Sequence, residues 1–289
     1  MKRIISIILV FAMLGVSCCF ADGNDNSRAV IGADLSESEI ETVYKSFGID
    51  RGDVKELSVT NENERHYLEG LVDDSVIGTK SISCIYIEAL DEGEGMDVSV
   101  NNVNWCTPDM YINAMVTAGI SDANVIISAP FEVSGTAALT GIFLAYEDIT
   151  VKELSETAKI VGTQELTVTA ELAEQIGSAD STAIVNALKL ILDETKNMTD
   201  EQLRQQIIDI AAEYDVTLTD SQIDQLISLC RSMEKLDVSE LKAKVEQVQQ
   251  YLKDIANVKT TVKQFFADLG DGVTQFVNSV ISFFRNLFG

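Results

Sequence analysis

A serine and a threonine flank a glycine in Val133-Ser134-Gly135-Thr136-Ala137-Ala138-Leu139-Thr140-Gly141, directly after the strand-like run Ala123–Ala129. Such a turn, opening a helix after a strand, offers free backbone N–H groups to an anion. The rest of a phosphate loop is missing. No lysine follows the glycine and no G-x-G-x-x-G spacing exists, so the small residues read instead as close packing of a helix on a sheet. Ser134 makes a poor nucleophile, because Val-Ser-Gly is not G-x-S-x-G and the chain's single histidine, His66, is the only imidazole base. His66 stands in Asn63-Glu64-Arg65-His66-Tyr67-Leu68, where the pattern places it on an exposed helix start.

Asp91-Glu92-Gly93-Glu94-Gly95-Met96-Asp97 packs carboxylates densely enough to hold a hard cation through oxygen ligands. It does not follow the D-x-[DN]-x-[DN]-G spacing of a calcium loop and reads as a solvated hairpin tip. Nothing among 46 acids selects two for glycoside hydrolysis, and Trp105 alone gives little stacking platform for a sugar. The residues therefore assign no catalytic group, no metal site and no cofactor. If the Asp91–Gly95 turn joins strands Lys80–Leu90 and Met96–Cys106 in a hairpin centred near residue 95, Cys84 and Cys106 face each other at a disulfide-compatible separation. The alternative is that the thiols are buried as small apolar side chains.

The chemistry must be placed in a compartment. Met1-Lys2-Arg3 is a basic start, Ile4 to Val16 is an apolar run, and Cys19-Phe20-Ala21 puts small residues before Asp22, which together form an export signal over residues 1–21. The run is short of the roughly 20 residues that span a bilayer. Lipoprotein anchoring at Cys18 is the less favoured alternative, because Gly15 stands three residues before the cysteine, where a leucine is usual. Cleavage after Ala21 removes Lys2 and Arg3 from the 21 basic residues, and the mature chain carries 19 − 46 = −27. That charge repels a phosphate backbone and excludes nucleic acid as the principal partner. The expected location is outside the cell, secreted or on the outer side of the envelope.

With 289 residues, 46% of them apolar, the chain has enough material for one large core or two ordinary ones. The periodicity predicts an α+β fold. In residues 22–148, extended runs (28–33, 54–60, 80–90, 96–106, 123–129) alternate with capped helices as an α/β sandwich on a mixed sheet. Ser36-Glu37-Ser38-Glu39 is a capping box, and Thr107-Pro108 caps the helix through Met110, Tyr111, Ala114 and Met115. Residues 149–258 read as an all-α domain. Thr199-Asp200-Glu201-Gln202 and Thr219-Asp220-Ser221-Gln222 each open a helix, one with Leu203, Ile207, Ile208, Ile210 and Ala211, the other with Ile223, Leu226, Ile227 and Cys230. Leu241, Val245, Val248, Leu252 and Ile255 then make a seam on a further helix.

Residues 259–289 form an amphipathic helix by the same reading, with Phe276, Phe284 and Phe288 on its apolar stripe and Gln275, Asn278, Ser282 and Arg285 opposite. Gly270-Asp271-Gly272 leaves a last helix of about 16 residues, some 24 Å long, with a polar face. This stripe is the binding candidate, for a membrane surface or an envelope protein.

The strings Ala129-Pro130-Phe131 with Val133 to Gly141, Met110-Tyr111-Ile112-Asn113-Ala114, and Thr117-Ala118-Gly119-Ile120 resemble the YpuA-like family of exported Gram-positive (Firmicute) proteins. The likeness extends through Gly32-Ala33-Asp34-Leu35, Tyr67-Leu68-Glu69-Gly70 and Ile77-Gly78-Thr79-Lys80-Ser81-Ile82-Ser83 to about Leu236. The family is a domain of unknown function. The resemblance implies an exported protein of Firmicute type and carries over no activity, cofactor or site residue. The expectation is an exported, acidic, non-enzymatic interaction protein of the cell envelope. Its rival is a secreted hydrolase using carboxylates on a cell-wall or extracellular substrate.

Overall fold

The computed structural model describes residues 26–71 and 74–251. The expected export signal with Cys18, and the expected C-terminal helix with Phe276, Phe284 and Phe288, lie outside the described residues.

Five strands, Ser27–Gly32 (β1), Lys55–Val59 (β2), Cys84–Ala89 (β3), Met96–Val103 (β4) and Ala123–Val133 (β5), form one sheet in the order β2-β1-β3-β5-β4. β1 pairs with β2, and β4 with β5, in parallel; β3 is antiparallel to both β1 and β5. The four parallel strands therefore point the same way and their carboxyl ends share one edge. Parallel neighbours need a crossover, and each pair has a helix to supply it. Glu37–Phe47 (α1) joins β1 to β2, with Ser36 and Glu39 closing its capping box and Gly48 ending it in the left-handed region. Its buried residues Ile40, Val43, Tyr44 and Phe47 cover the sheet face that carries Ala29, Ile31 and Cys84. Pro108–Ala118 (α4) joins β4 to β5, with Thr107 at its cap and proline in the first turn. Between β2 and β3 run the shorter Asn61–Leu68 (α2) and Asp74–Ile77 (α3).

The structure is α+β: among the described residues the sheet is confined to the N-terminal half and helices follow. Thr136–Thr150 (α5) lies on the second sheet face and buries Leu139, Ile142 and Phe143 beside Val30 and Ile85. Each such side chain contributes about 1.5–3 kcal/mol of transfer free energy. At the far end of α5, Asp148 receives Arg28 Nε at 2.5 Å and Lys55 Nζ at 2.6 Å, which ties the helix to β1 and β2. The hydrogen bonds from Lys55 and Arg28 hold the Asp148 carboxyl below its usual range.

Beyond it come Glu156–Ile176 (α6), Ser178–Leu190 (α7), the single turn Leu192–Thr195 (α8), Asp200–Glu213 (α9), Asp220–Met233 (α10), and a helix over 238–251 (α11). α6 packs its backbone onto α4: a Cβ at Gly162 would stand 2.6 Å from the Ala114 carbonyl oxygen. Thr199 and Thr219 cap α9 and α10 with the reciprocal Gln202 and Gln222 bonds their spacing predicts. Leu203, Ile207, Ile210 and Ala211 are buried as expected, whereas Ile208 faces outward and is 40% exposed. Leu241, Val245 and Val248 of α11 are buried. One continuous cluster of buried side chains runs from Val30 in the sheet to Val248 in α11.

One expectation fails in the strand order. β3 and β4 do not form a hairpin, because β5 lies between them, and Cys84 stands opposite Ser128 of β5 instead. Cys106 lies past the end of β4 at Val103, in the stretch before α4, and is buried in a different core cluster from Cys84. Cys84, Cys106 and Cys230 are free, buried thiols, and burial pushes each up to about 12. The disulfide expected between Cys84 and Cys106 is therefore corrected to two free cysteines, one in each of two core clusters.

Candidate functional site

The carboxyl edge of the sheet gathers the residues that the sequence pattern singled out, together with one it passed over. β5 ends at Val133, and Ser134-Gly135 turns the chain into α5. Gly135 has φ 97° and is the one residue type that fits. An added Cβ would meet Tyr111 Oη and Val103 Cγ1, each at 2.4 Å. Tyr111, fully buried on α4, fixes the turn by donating its hydroxyl hydrogen to the Gly135 carbonyl at 2.7 Å. Cys106 lies beside the Tyr111 hydroxyl, and its backbone N–H donates to the Ser134 carbonyl.

The anion at this helix N-terminus is supplied by the chain itself. Thr60 caps α2, its hydroxyl accepting from Asn63 N, and this sets Glu64 on the inner face with 1% of its surface exposed. Thr136 Oγ1 donates to Glu64 Oε1 at 2.5 Å, and Asn61 Nδ2 donates to Glu64 Oε2 at 3.4 Å. Asn61 is itself held by Arg65 Nε at 3.0 Å, while the Arg65 guanidinium reaches Asp74 and the Gly78 carbonyl. Burial raises the Glu64 carboxyl to about 7, opposed by the Thr136 and Asn61 hydrogen bonds and by the Arg65 charge. The Ser134 hydroxyl lies 3.4 Å from that of Thr136, so a chain of polar atoms leads from Ser134 to Glu64. Chemically this is a carboxyl that exchanges a proton near neutral pH, enclosed by its partners. Its signal in the sequence was faint: Glu64 stands in an all-polar run and only its depth in the fold distinguishes it.

The other candidates lie elsewhere. His66 Nε2 is 2.8 Å from Glu156 Oε1 at the start of α6, with the ring edge-on to Tyr67, on the surface. The acidic turn after β3 is organised by Asp122, whose Oδ1 accepts the Gly93 and Gly95 amides at 2.9 and 2.8 Å. Tyr251 packs its ring on Gly95. Among the described residues no group of three His, Cys, Asp or Glu is placed to share a metal ion. Trp105 donates to Glu174 at 2.7 Å.

A second buried polar cluster joins the two halves. Lys189 of α7 and Glu165 of α6 are 0% and 1% exposed, with Nζ 2.5 Å from Oε1. Lys189 also donates to the Asn113 carbonyl at 2.9 Å, and Thr117 donates to Glu165 Oε2 at 2.5 Å. Burial pushes Glu165 up and Lys189 down, each opposed by the charge of the other.

Two cavities accompany these helices. One of about 340 Å³ opens where the end of α4 meets segment 151–155 and α11, and Lys244 spans it to the Gly119 carbonyl. Val151, which precedes Lys152 of its wall in the chain, is 91% exposed and has φ 53°, an unusual conformation for a β-branched residue. The other, about 180 Å³, lies between α4, α7 and α11. Neither is lined by Glu64.

Comparison with known proteins agrees with the resemblance. Residues 31–264 match the family described as "Protein of unknown function (DUF1002)". The chain is 37% identical over 260 residues to "Uncharacterized protein YpuA" of Bacillus subtilis (strain 168), covering 89% of this chain and 85% of that protein. Among solved structures none matches. The chain belongs to the DUF1002 family of proteins of unknown function.

Proposed function

We propose that the chain is an exported, acidic, non-enzymatic interaction protein of the cell envelope, carried out by residues 1–21 and making contact through the aromatic stripe of residues 259–289. The observation that carries the non-enzymatic part is the enclosure of Glu64: the described carboxyl that exchanges a proton near neutral pH is 1% exposed and lines neither cavity. A general acid or base must come within hydrogen-bond reach of its substrate. The charge of −27 left once residues 1–21 are removed supports partners that are neutral or basic and opposes anionic ones. The rival reading, a secreted hydrolase, has Glu64 as its best-suited acid.

Digestion of purified Gram-positive cell wall separates the two. Wild-type protein and Glu64→Gln are incubated with the wall and soluble fragments are quantified. The interaction reading expects no release above background from either. Release by the wild type that is lost in Glu64→Gln would establish the hydrolase.

A further inference from the structure

The two edges of the sheet are guarded unequally. At one edge β2 is five residues long and its charges are tied down, Glu56 by Arg51 and Tyr44, Lys55 by Asp148. Short strands and charged side chains blunt an edge against pairing with another chain. At the opposite edge β4 has eight residues, neither lysine nor proline, and one charged residue, Asp97, in a chain that is 23% charged. From Met96 to Asn101 it runs in unbroken register with β5, and the irregularity comes only after Asn101. Among the described residues the backbone of Asp97–Asn101 bonds to nothing outside the β4–β5 ladder. One side of this stretch therefore presents a row of unpaired N–H and C=O groups.

The side chains make this edge complementary to itself. Asp97, Ser99 and Asn101 are exposed on one face of the strand, while Val98 is buried and Val100 half-buried on the other. A twofold axis perpendicular to the sheet at Ser99 sets β4 antiparallel to a second β4 and keeps the faces matched. Ser99 then stands opposite Ser99 of the partner subunit. Asp97 meets the partner's Asn101, a carboxylate accepting from a carboxamide, and Val98 meets the partner's Val100, an apolar pair that extends the core side. No like charges face each other. We propose that the β4 edge docks a second copy of this chain, strand to strand across Ser99, to make one continuous ten-stranded sheet from two sheets of five. The charge of −27 on each mature chain opposes approach, so the association tightens with salt. The proposal is independent of the envelope reading, since it concerns described residues alone.

Analytical ultracentrifugation of residues 22–289 tests it. A reversible dimer is expected, with a dissociation constant of about 1–100 µM, as suits an interface of so few residues. It should tighten at least about threefold between roughly 50 and 500 mM sodium chloride. Ser99→Lys sets two ammonium groups opposite each other and should weaken the dimer at least about tenfold. Its melting temperature should equal that of the wild type at a concentration where both are monomeric, because Ser99 is exposed. Ser99→Cys should form a disulfide-linked dimer under mild oxidation, since opposed Cβ atoms lie about 4.5–5.5 Å apart. The native thiols are buried and give no background. Asp97→Cys alone should stay unlinked, its two copies being about 13 Å apart along the strands, but should link when mixed with Asn101→Cys. A monomer at about 200 µM overturns the proposal, whether the edge stays open or residues 252–289, which follow Tyr251 beside Gly95, occupy it. A dimer undiminished by Ser99→Lys, or one linked through Asp97→Cys alone and not through Ser99→Cys, overturns it as well.

Discussion

Thr136 Oγ1 donates a 2.5 Å hydrogen bond to Glu64 Oε1, so the carboxylate of one helix closes the N-terminus of another. Burial nevertheless dominates, raising the carboxyl from 4.5 to about 7. Between those values the folded chain holds a proton that the unfolded chain has released, and stability contributed at this site falls as pH rises through the window. Glu64→Gln removes the titration. Urea unfolding at pH 4.5, 6 and 8 should show the variant gaining on wild type by about 3 kcal/mol across the range. A pH-independent difference would mean that Glu64 titrates normally.

The Glu165–Lys189 pair predicts a reversal between single and double substitutions. Lys189→Met leaves a buried carboxyl without its partner and should cost about 3–5 kcal/mol. Glu165→Met combined with Lys189→Met removes both charges and should recover stability to within about 1 kcal/mol of wild type or exceed it. Chemical denaturation of the singles and the double decides this. Additive losses would show that the pair stabilises the fold outright.

Gly135→Ala tests the turn that brings these groups together. The left-handed φ and the 2.4 Å approach of Tyr111 Oη leave no room for a methyl group. A loss of about 2–4 kcal/mol is expected, since Tyr111 is fully buried and its hydroxyl is bonded to the Gly135 carbonyl. Tyr111→Phe combined with Gly135→Ala should restore part of that loss. Thermal unfolding of the three variants measures it.

What was legible in the sequence was local. The caps at Ser36, Thr107, Thr199 and Thr219 depend on residues three apart, and every one of those helices starts where its cap predicts. The strand order was not legible from the turn. Asp91–Gly95 reads as a hairpin by itself, yet the capped α4 between Val103 and Ala123 demands a parallel crossover, and that unit places β5 beside β4 and against β3. Glu64, Asp122 and Glu165 gave at most a faint signal because charge in an acidic chain is the background. Lys189 did give one: it interrupts the run Ala187-Leu188-Lys189-Leu190-Ile191-Leu192, where a lysine needs a buried partner.

The corrected cysteine geometry has its own consequence. A chain beginning at Asp22 carries three thiols, all buried and pushed up to about 12, so thiolate is scarce at neutral pH. Folded, non-reduced protein should react negligibly with a thiol reagent over minutes, and denatured, non-reduced protein should release three equivalents. One equivalent after denaturation would restore the disulfide.

The envelope reading is tested most directly by sedimentation with envelope fractions from a Gram-positive cell, comparing residues 22–289 with a truncation after Thr261. The longer chain should pellet with the fractions and the truncated one should stay in the supernatant, with the two unfolding at the same temperature. Burial of Phe276, Phe284 and Phe288 would supply about 1.5–3 kcal/mol each toward that association before ordering costs. Both chains remaining in the supernatant, with the truncated one less stable by several kcal/mol, would contradict the account and make the C-terminal segment part of the core.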